Sequence, residues 1–128
     1  MIALDTSSLV AYLSNQAGSD VDAVEVALAE RQACLPPAVL AELLSDPKLP
    51  AKIAALFRAL PQLPVTDGYW ERVGALRADV IAQGRKARLA DALIAQSCLD
   101  HAAPLITRDG DFRNFSRVRD LHLVLAKL

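Results

Sequence analysis

Four acids stand where their neighbours are apolar. Asp5 closes the run Met1-Ile2-Ala3-Leu4, and Glu42 sits between Ala41 and Leu43. Asp91 interrupts Leu89-Ala90-Asp91-Ala92-Leu93-Ile94. Asp109 follows Leu105-Ile106-Thr107-Arg108, with Asp111 two positions on. A carboxylate is rarely buried unless it is paired or coordinates a metal. Four of them in one pocket repel one another and are stable together only when protonated or bridged by cations. Hard oxygen donors in that number select Mg²⁺ or Mn²⁺. A carboxylate-held pair of such ions with open coordination positions is a device for cleaving phosphodiesters: it orients the phosphate, acidifies a bound water and stabilises the leaving oxygen. Taken singly, each acid also has an ordinary role. Asp5 can cap a helix, with Thr6 or Ser7 as competing caps, and Glu42 can be one exposed position of a two-sided helix. Asp91 can complement a helix dipole, and Asp109 and Asp111 can be turn residues.

The acids work together only if the fold gathers them. Residues 1–4 read as a short buried strand, and Leu9, Val10 and Leu13 then recur at near-helical spacing. A helix is predicted over 20–31, a short strand at Ala33-Cys34-Leu35, and a helix opened by Pro36 and Pro37 and stopped at Asp46-Pro47. Further helices are expected over 50–60, over 70–81 behind an Asp67 cap, and over 89–99, the last apolar nearly all round and therefore central. Trp70, Val73, Leu76, Val80 and Ile81 share one stripe, which places Trp70 in the core or an interface; Gly84 is the expected stop. Leu63-Pro64-Val65 is strand-like, and 104–107 and 121–125 are predicted strands. Short strands alternating with helices imply an α/β three-layer sandwich around a small, mostly parallel sheet, within a single domain spanning 1–128. In such a sheet the carboxyl ends of the strands converge on one crevice, where Asp5 and Asp109 would meet the first turn of the Asp91 helix.

Composition excludes other classes. Of 128 residues 53% are apolar and 23% charged, which rules out intrinsic disorder. No apolar run reaches the length of a membrane span, and the start has no basic and apolar leader, so a cytoplasmic protein is expected. Cys34 and Cys98 lie in apolar surroundings and read as reduced core thiols. His101 and His122 lack metal-ligand spacing, and neither a Ser-His-Asp triad nor a phosphate-binding glycine loop is present. The 14 basic and 15 acidic side chains give a net charge of −1, no simple sign of a nucleic-acid partner. Leaving out the four acids above sets 14 bases against 11 acids, or +3. Gly84-Arg85-Lys86-Ala87-Arg88 leads into the Asp91 helix, so Arg85, Lys86 and Arg88 are candidate phosphate contacts, with Arg108 and Arg113 weaker ones.

The pieces Leu4-Asp5-Thr6-Ser7 with Leu9 and Tyr12-Leu13, Ala41-Glu42-Leu43, 89–95, and Leu105-Ile106-Thr107-Arg108-Asp109 with Asp111-Phe112 resemble, in order and spacing, the PIN domain. They resemble in particular the VapC-type toxins of prokaryotic toxin–antitoxin pairs, and the resemblance spans residues 4–112. It implies a PIN-like fold and a Mg²⁺- or Mn²⁺-dependent endoribonuclease centred on Asp5, Glu42, Asp91 and Asp109, with Asp111 the alternative to Asp109 as metal ligand. Thr107 and Ser7 would help position a ligand or water. It further implies an RNA substrate, an antitoxin partner that inserts a segment near the pocket, and a homodimer, for which the apolar helices at Val39–Leu44 and Ile53–Leu60 offer surface. Two rivals come from other classes. One is a non-catalytic binding module of the same fold, which the intact acid set argues against. The other is a phospho-acceptor signalling domain, which needs a mid-chain Asp after a strand and a late Lys. Asp46 is followed by Pro47, and no Lys lies between Lys86 and Lys127.

Overall fold

The computed structural model describes residues 1–126; residues 127 and 128, the end of the predicted 1–128 span and the site of Lys127, lie outside the described residues. The chain runs β1 (Ile2–Leu4), α1 (Thr6–Leu13), α2 (Ser19–Ala29), β2 (Ala33–Cys34), α3 (Pro37–Leu44), α4 (Ala51–Ala59), α5 (Tyr69–Ala82), α6 (Leu89–Asp100), β3 (Leu105–Thr107), a 3₁₀ turn (Gly110–Phe112), α7 (Arg113–Ser116) and β4 (Leu123–Leu125). The strands form one sheet in the order β2-β1-β3-β4, and every pairing is parallel.

The topology follows from chain handedness. The crossover from β1 to β2 and the one from β2 to β3 run in opposite directions across the sheet. Parallel crossovers are right-handed, so α1 and α2 cover one face and α3 to α6 the other. From β3 to β4 the chain continues in the second direction, which puts α7 on the face of α5, and the two pack together. The strands carry the mark of this double cover. Ala3, Leu4, Leu105, Ile106 and Thr107 are all without exposed surface, although successive side chains point to opposite faces. Each fully buried Leu or Ile contributes roughly 1.5–3 kcal/mol.

Local chemistry sets the helix ends. Pro37 opens α3, where its missing N–H costs nothing. At the other end of α5, Gly84 adopts φ +72°, donates its N–H to Ile81 O at 2.8 Å, and lets Arg85 N reach Val80 O at 3.3 Å. These two bonds satisfy orphan carbonyls, as the left-handed glycine termination requires. Two expectations are corrected. The predicted strand at 63–65 is reduced to one parallel bridge between Leu35 and Gln62, because Pro61 and Pro64 remove the donors a strand needs. Asp67 does not cap α5, whose N-cap is Gly68; instead the Asp67 carbonyl accepts from Arg72 Nη1 at 2.8 Å.

Val73, Leu76 and Val80 of the predicted α5 stripe are buried, but its ends, Trp70 and Ile81, are exposed, and Tyr69 takes the inward place expected of Trp70. Tyr69 is 4% exposed and Trp70 65%, with Trp70 lying edge-on to the Tyr69 ring. The phenol explains the choice: Tyr69 Oη donates to Leu93 O at 2.7 Å and accepts from Ser97 Oγ at 3.3 Å, tying α5 to α6. An indole has no matching acceptor for Ser97. Tyr69→Phe is expected to destabilise the fold by about 1–2 kcal/mol. Trp70→Ser should stay within about 0.5 kcal/mol of the parent. Urea unfolding of the two variants checks this, and the opposite ranking would restore the Trp70 stripe.

Candidate active site

Strand order reverses between β1 and β3, and in parallel α/β sheets ligands bind beyond the carboxyl ends of the strands at such a switch point. Asp5 leaves β1 here and Thr107 ends β3 beside it, with Asp5 N donating to Ile106 O at 2.9 Å. The Asp5 side chain is held from two sides. Its Oδ2 accepts from Thr107 Oγ1 at 2.7 Å and from Ser7 Oγ at 2.6 Å. Thr107 Oγ1 in turn accepts from Asp109 N at 3.0 Å, and Ser7 Oγ from Arg108 N at 3.2 Å. Two hydroxyls thus stitch the first turn of α1 to the segment after β3, with a carboxylate between them. Burial pushes Asp5 above the usual carboxylate range; the Ser7 and Thr107 hydrogen bonds oppose that, and the nearby Asp109 charge adds to it.

Asp91 lies half-buried in the first turn of α6. Its carboxyl is pushed up from 3.8 to about 6, first by burial, then by the charges of Asp109 and Asp5, with Glu42 adding a smaller push and Arg88 opposing. Asp91 therefore feels the charges of the other three acids singled out from the sequence, and Asp5 that of Asp109. Glu42 is exposed on α3, and its Oε1 accepts from Thr6 Oγ1 at 2.8 Å. Asp109 caps the 3₁₀ turn, its Oδ1 accepting from Asp111 N at 2.9 Å. The two candidates for the last acid separate here. Asp109 bears on Asp5 and Asp91, whereas Asp111 pairs with Lys86 Nζ at 3.1 Å.

This is an all-carboxylate set of hard donors, one of them buried, with Arg88 opposing the charge at Asp91, and it suits a hard divalent cation. Among the described residues, no three His, Cys, Asp or Glu side chains already enclose a common ion position. Cys34 and Cys98 are free and buried, as expected.

The cations divide. Lys86 reaches Asp111, and Arg88 stands at the N-cap of α6 close enough to Asp91 to lower its pKa. Arg85 is exposed, with no side-chain partner among the described residues. The loop that carries them is pinned through its carbonyls, Lys86 O by Asn114 Nδ2 at 3.1 Å and Ala87 O by Arg77 Nε at 2.8 Å. Arg108 is not a free phosphate contact. Its guanidinium turns away from the acids and forks onto Asp20, Nε to Oδ2 at 2.8 Å and Nη2 to Oδ1 at 2.9 Å. Asp20 has no exposed surface and also accepts from the buried Ser8 Oγ at 2.8 Å. Sequence reasoning missed Asp20 and Ser8, since an acid in a first helical turn carries no local sign of burial. The expected dimer helices turn Val39, Leu43 and Phe57 inward; Leu56 stays exposed.

No curated protein matches the chain. Solved structures do, over nearly their whole length. VapBC2 from Rickettsia felis, bound to a DNA fragment from its promoter, is similar with a TM-score of 0.75 at 23% identity, covering 98% of both chains. VapBC-1 from nontypeable Haemophilus influenzae gives 0.70 at 21%, and the VapBC-5 toxin–antitoxin system from Mycobacterium tuberculosis 0.67 at 23%, each covering 97% of both chains. At these identities the likeness establishes a shared fold. The PIN domain family model matches residues 2–118, the span that holds the switch point and all of its acids, and the chain belongs to the PIN domain family.

Proposed function

We infer that this protein is a metal-dependent endoribonuclease and the toxin member of a toxin–antitoxin pair. The observation that carries this reading is the gathering of acids at the switch point, where buried Asp5 lies beside Asp109 and half-buried Asp91 is pushed up by Asp109, Asp5 and Glu42. Uncompensated carboxylates in one place are a cost to the fold unless a cation uses them. In this reading Asp5, Asp91 and Asp109 hold Mg²⁺ or Mn²⁺, with Glu42 completing the acidic rim. The bound ion supplies Lewis acidity toward a phosphate oxygen and toward water.

The chain's own residues do the rest. Ser7 and Thr107 fix one oxygen of Asp5, so that it meets a ligand in one orientation. Lys86 and Arg88 meet the phosphates flanking the scissile one, with Arg85 further out, and their attraction is electrostatic and sequence-independent. Hydrolysis of this kind does not use the 2′-hydroxyl, so a preference for RNA rests on shape and single-strandedness. The antitoxin partner is supported by the similar structures, which are described as VapBC toxin–antitoxin proteins. Exposed Val10, Leu13 and Leu56 offer apolar surface for that partner or for a second copy in a homodimer. Among the described residues no helix is long and apolar enough to cross a membrane.

Asp5→Asn and Asp91→Asn are expected to lower Mn²⁺-dependent cleavage of a single-stranded RNA by about 100-fold or more, the several kcal/mol that one ion contributes. Equal activity in parent and variants, or none with any divalent ion, would remove the nuclease reading. Lys86→Ala and Arg88→Ala should each weaken RNA binding and flatten its salt dependence by about one unit of slope, measured by anisotropy at several salt concentrations. Asp91 also predicts a stability effect. Its folded pKa of about 6 lies above the unfolded 3.8, so its charge destabilises the metal-free fold above that range and not below it. In chelator at pH 7.5, Asp91→Asn should raise Tm by about 2–5 °C, and at pH 4 the gain should vanish; Mn²⁺ should stabilise the parent and not the variant.

A further inference from the structure

Arg108 lies between Thr107 and Asp109, two residues of the acidic site, yet its side chain points the other way. It makes four hydrogen bonds to the start of α2 and the loop before it: two to Asp20, one from Nη1 to Gln16 Oε1 at 2.8 Å, and one from Nη2 to Ala17 O at 3.2 Å. The receiving carboxylate is buried, and the side chain of Arg108 is 27% exposed. The guanidinium beside Asp20 holds that carboxyl down at about 2, so the pair is charged at any ordinary pH. Its backbone serves the same region from the other side, where Arg108 N donates to Ser7 Oγ. The chain also makes room for the fork. A Cβ added at Gly18 would stand 2.5 Å from Asp20 Oδ1 and 2.8 Å from Arg108 Nη2, so any larger residue there pushes into the pair.

We propose that Arg108, forked onto Asp20, is a positioning residue of the acidic site: it anchors the Thr107–Asp111 turn to α2 and so fixes Asp109 beside Asp5 and Asp91. The geometry favours this over a purely structural strut. The turn's other ties, Asp109 N to Thr107 Oγ1, Arg108 N to Ser7 Oγ and Asp111 to Lys86, run to β3, α1 and the loop before α6, and the fork is what links it to α2. Arg108 is covalently adjacent to the acid it would place. A rigid fork fixes both distance and direction, which a lysine ammonium does not. Supporting partners of this sort typically change metal affinity by 10–100-fold when removed. The part concerning metal rests on the nuclease reading above.

The test uses Arg108→Gln, Arg108→Lys, Asp20→Asn and Gly18→Ala in the full chain, each examined below its own melting temperature. In Arg108→Gln and Asp20→Asn, amide hydrogen exchange across 105–112 should accelerate while β1 and α6 stay protected. Calorimetric Mn²⁺ affinity should fall about 10–100-fold, and the Arg108→Gln/Asp20→Asn double variant should be no worse than either single one, because the two act as a unit. Arg108→Lys keeps the charge but not the fork, so it keeps the test open if the harsher variants fail to fold and should give an intermediate loss; Gly18→Ala, strained at φ +155° as well as crowding the fork, should lose at least as much. Unchanged exchange across 105–112 in folded variants would overturn the proposal. So would Mn²⁺ affinity within threefold of the parent when Asp5→Asn abolishes it. If the parent binds no Mn²⁺, the nuclease reading fails, and the exchange result still decides whether Arg108 holds the turn.

Discussion

Asp5 has 4% of its surface in water and stands where β1 hands over to α1. A carboxylate in that position is tolerable only if hydrogen bonds or a counter-charge replace the water it has lost. Here two hydroxyls do so, one from the first turn of α1 and one from the last residue of β3. Those same hydroxyls accept the backbone N–H groups of Arg108 and Asp109. Satisfying one buried carboxylate therefore joins two central strands, the first helix and the turn after β3. Holding Asp5 is what ties the switch point together.

The protein treats its inward acids in two opposite ways. Asp20 meets Arg108, Ser8 and a local backbone amide, and its carboxyl is drawn down to about 2. Asp100 is likewise met by a forked Arg72 and by Gln96, and is lowered. Asp91 has no hydrogen-bonded side-chain partner among the described residues; burial and the charges of Asp109 and Asp5 outweigh Arg88 and lift it to about 6. The same side chain is thus stabilised where it serves the fold and left under electrostatic stress at the switch point. That contrast is the physical ground for reading one group of acids as structure and the other as a site.

The contrast also explains the charge balance. A net charge of −1 averages a concentrated acidic centre against a basic approach through residues 85–88. That segment begins at the Gly84 termination of α5, is pinned through its carbonyls by Arg77 and Asn114, and ends at the start of α6. The cations of 85–88 and the carboxylate of Asp91 thus meet at one helix end.

Much of this was legible along the chain. The positions of Asp5, Asp91 and Asp109 relative to their strands and helix follow from periodicity, and the parallel sheet brings strand ends together wherever it forms. The Gly84 stop and the Pro37 start are local chemistry. Other features were not legible. That Tyr69 rather than Trp70 faces inward depends on a hydroxyl meeting Leu93, 24 residues away, and both settings fit the stripe. That Arg108 is an anchor depends on Asp20, 88 residues away. That Asp109 bears on Asp5 and Asp91 while Asp111 pairs with Lys86 depends on the turn of the 3₁₀ segment. The sequence by itself determined which elements form and which acids end them, because backbone preference and hydrophobic period are local. Only the tertiary structure decided which charges are neutralised and which remain, because pairing is a matter of distance between residues that the chain keeps far apart.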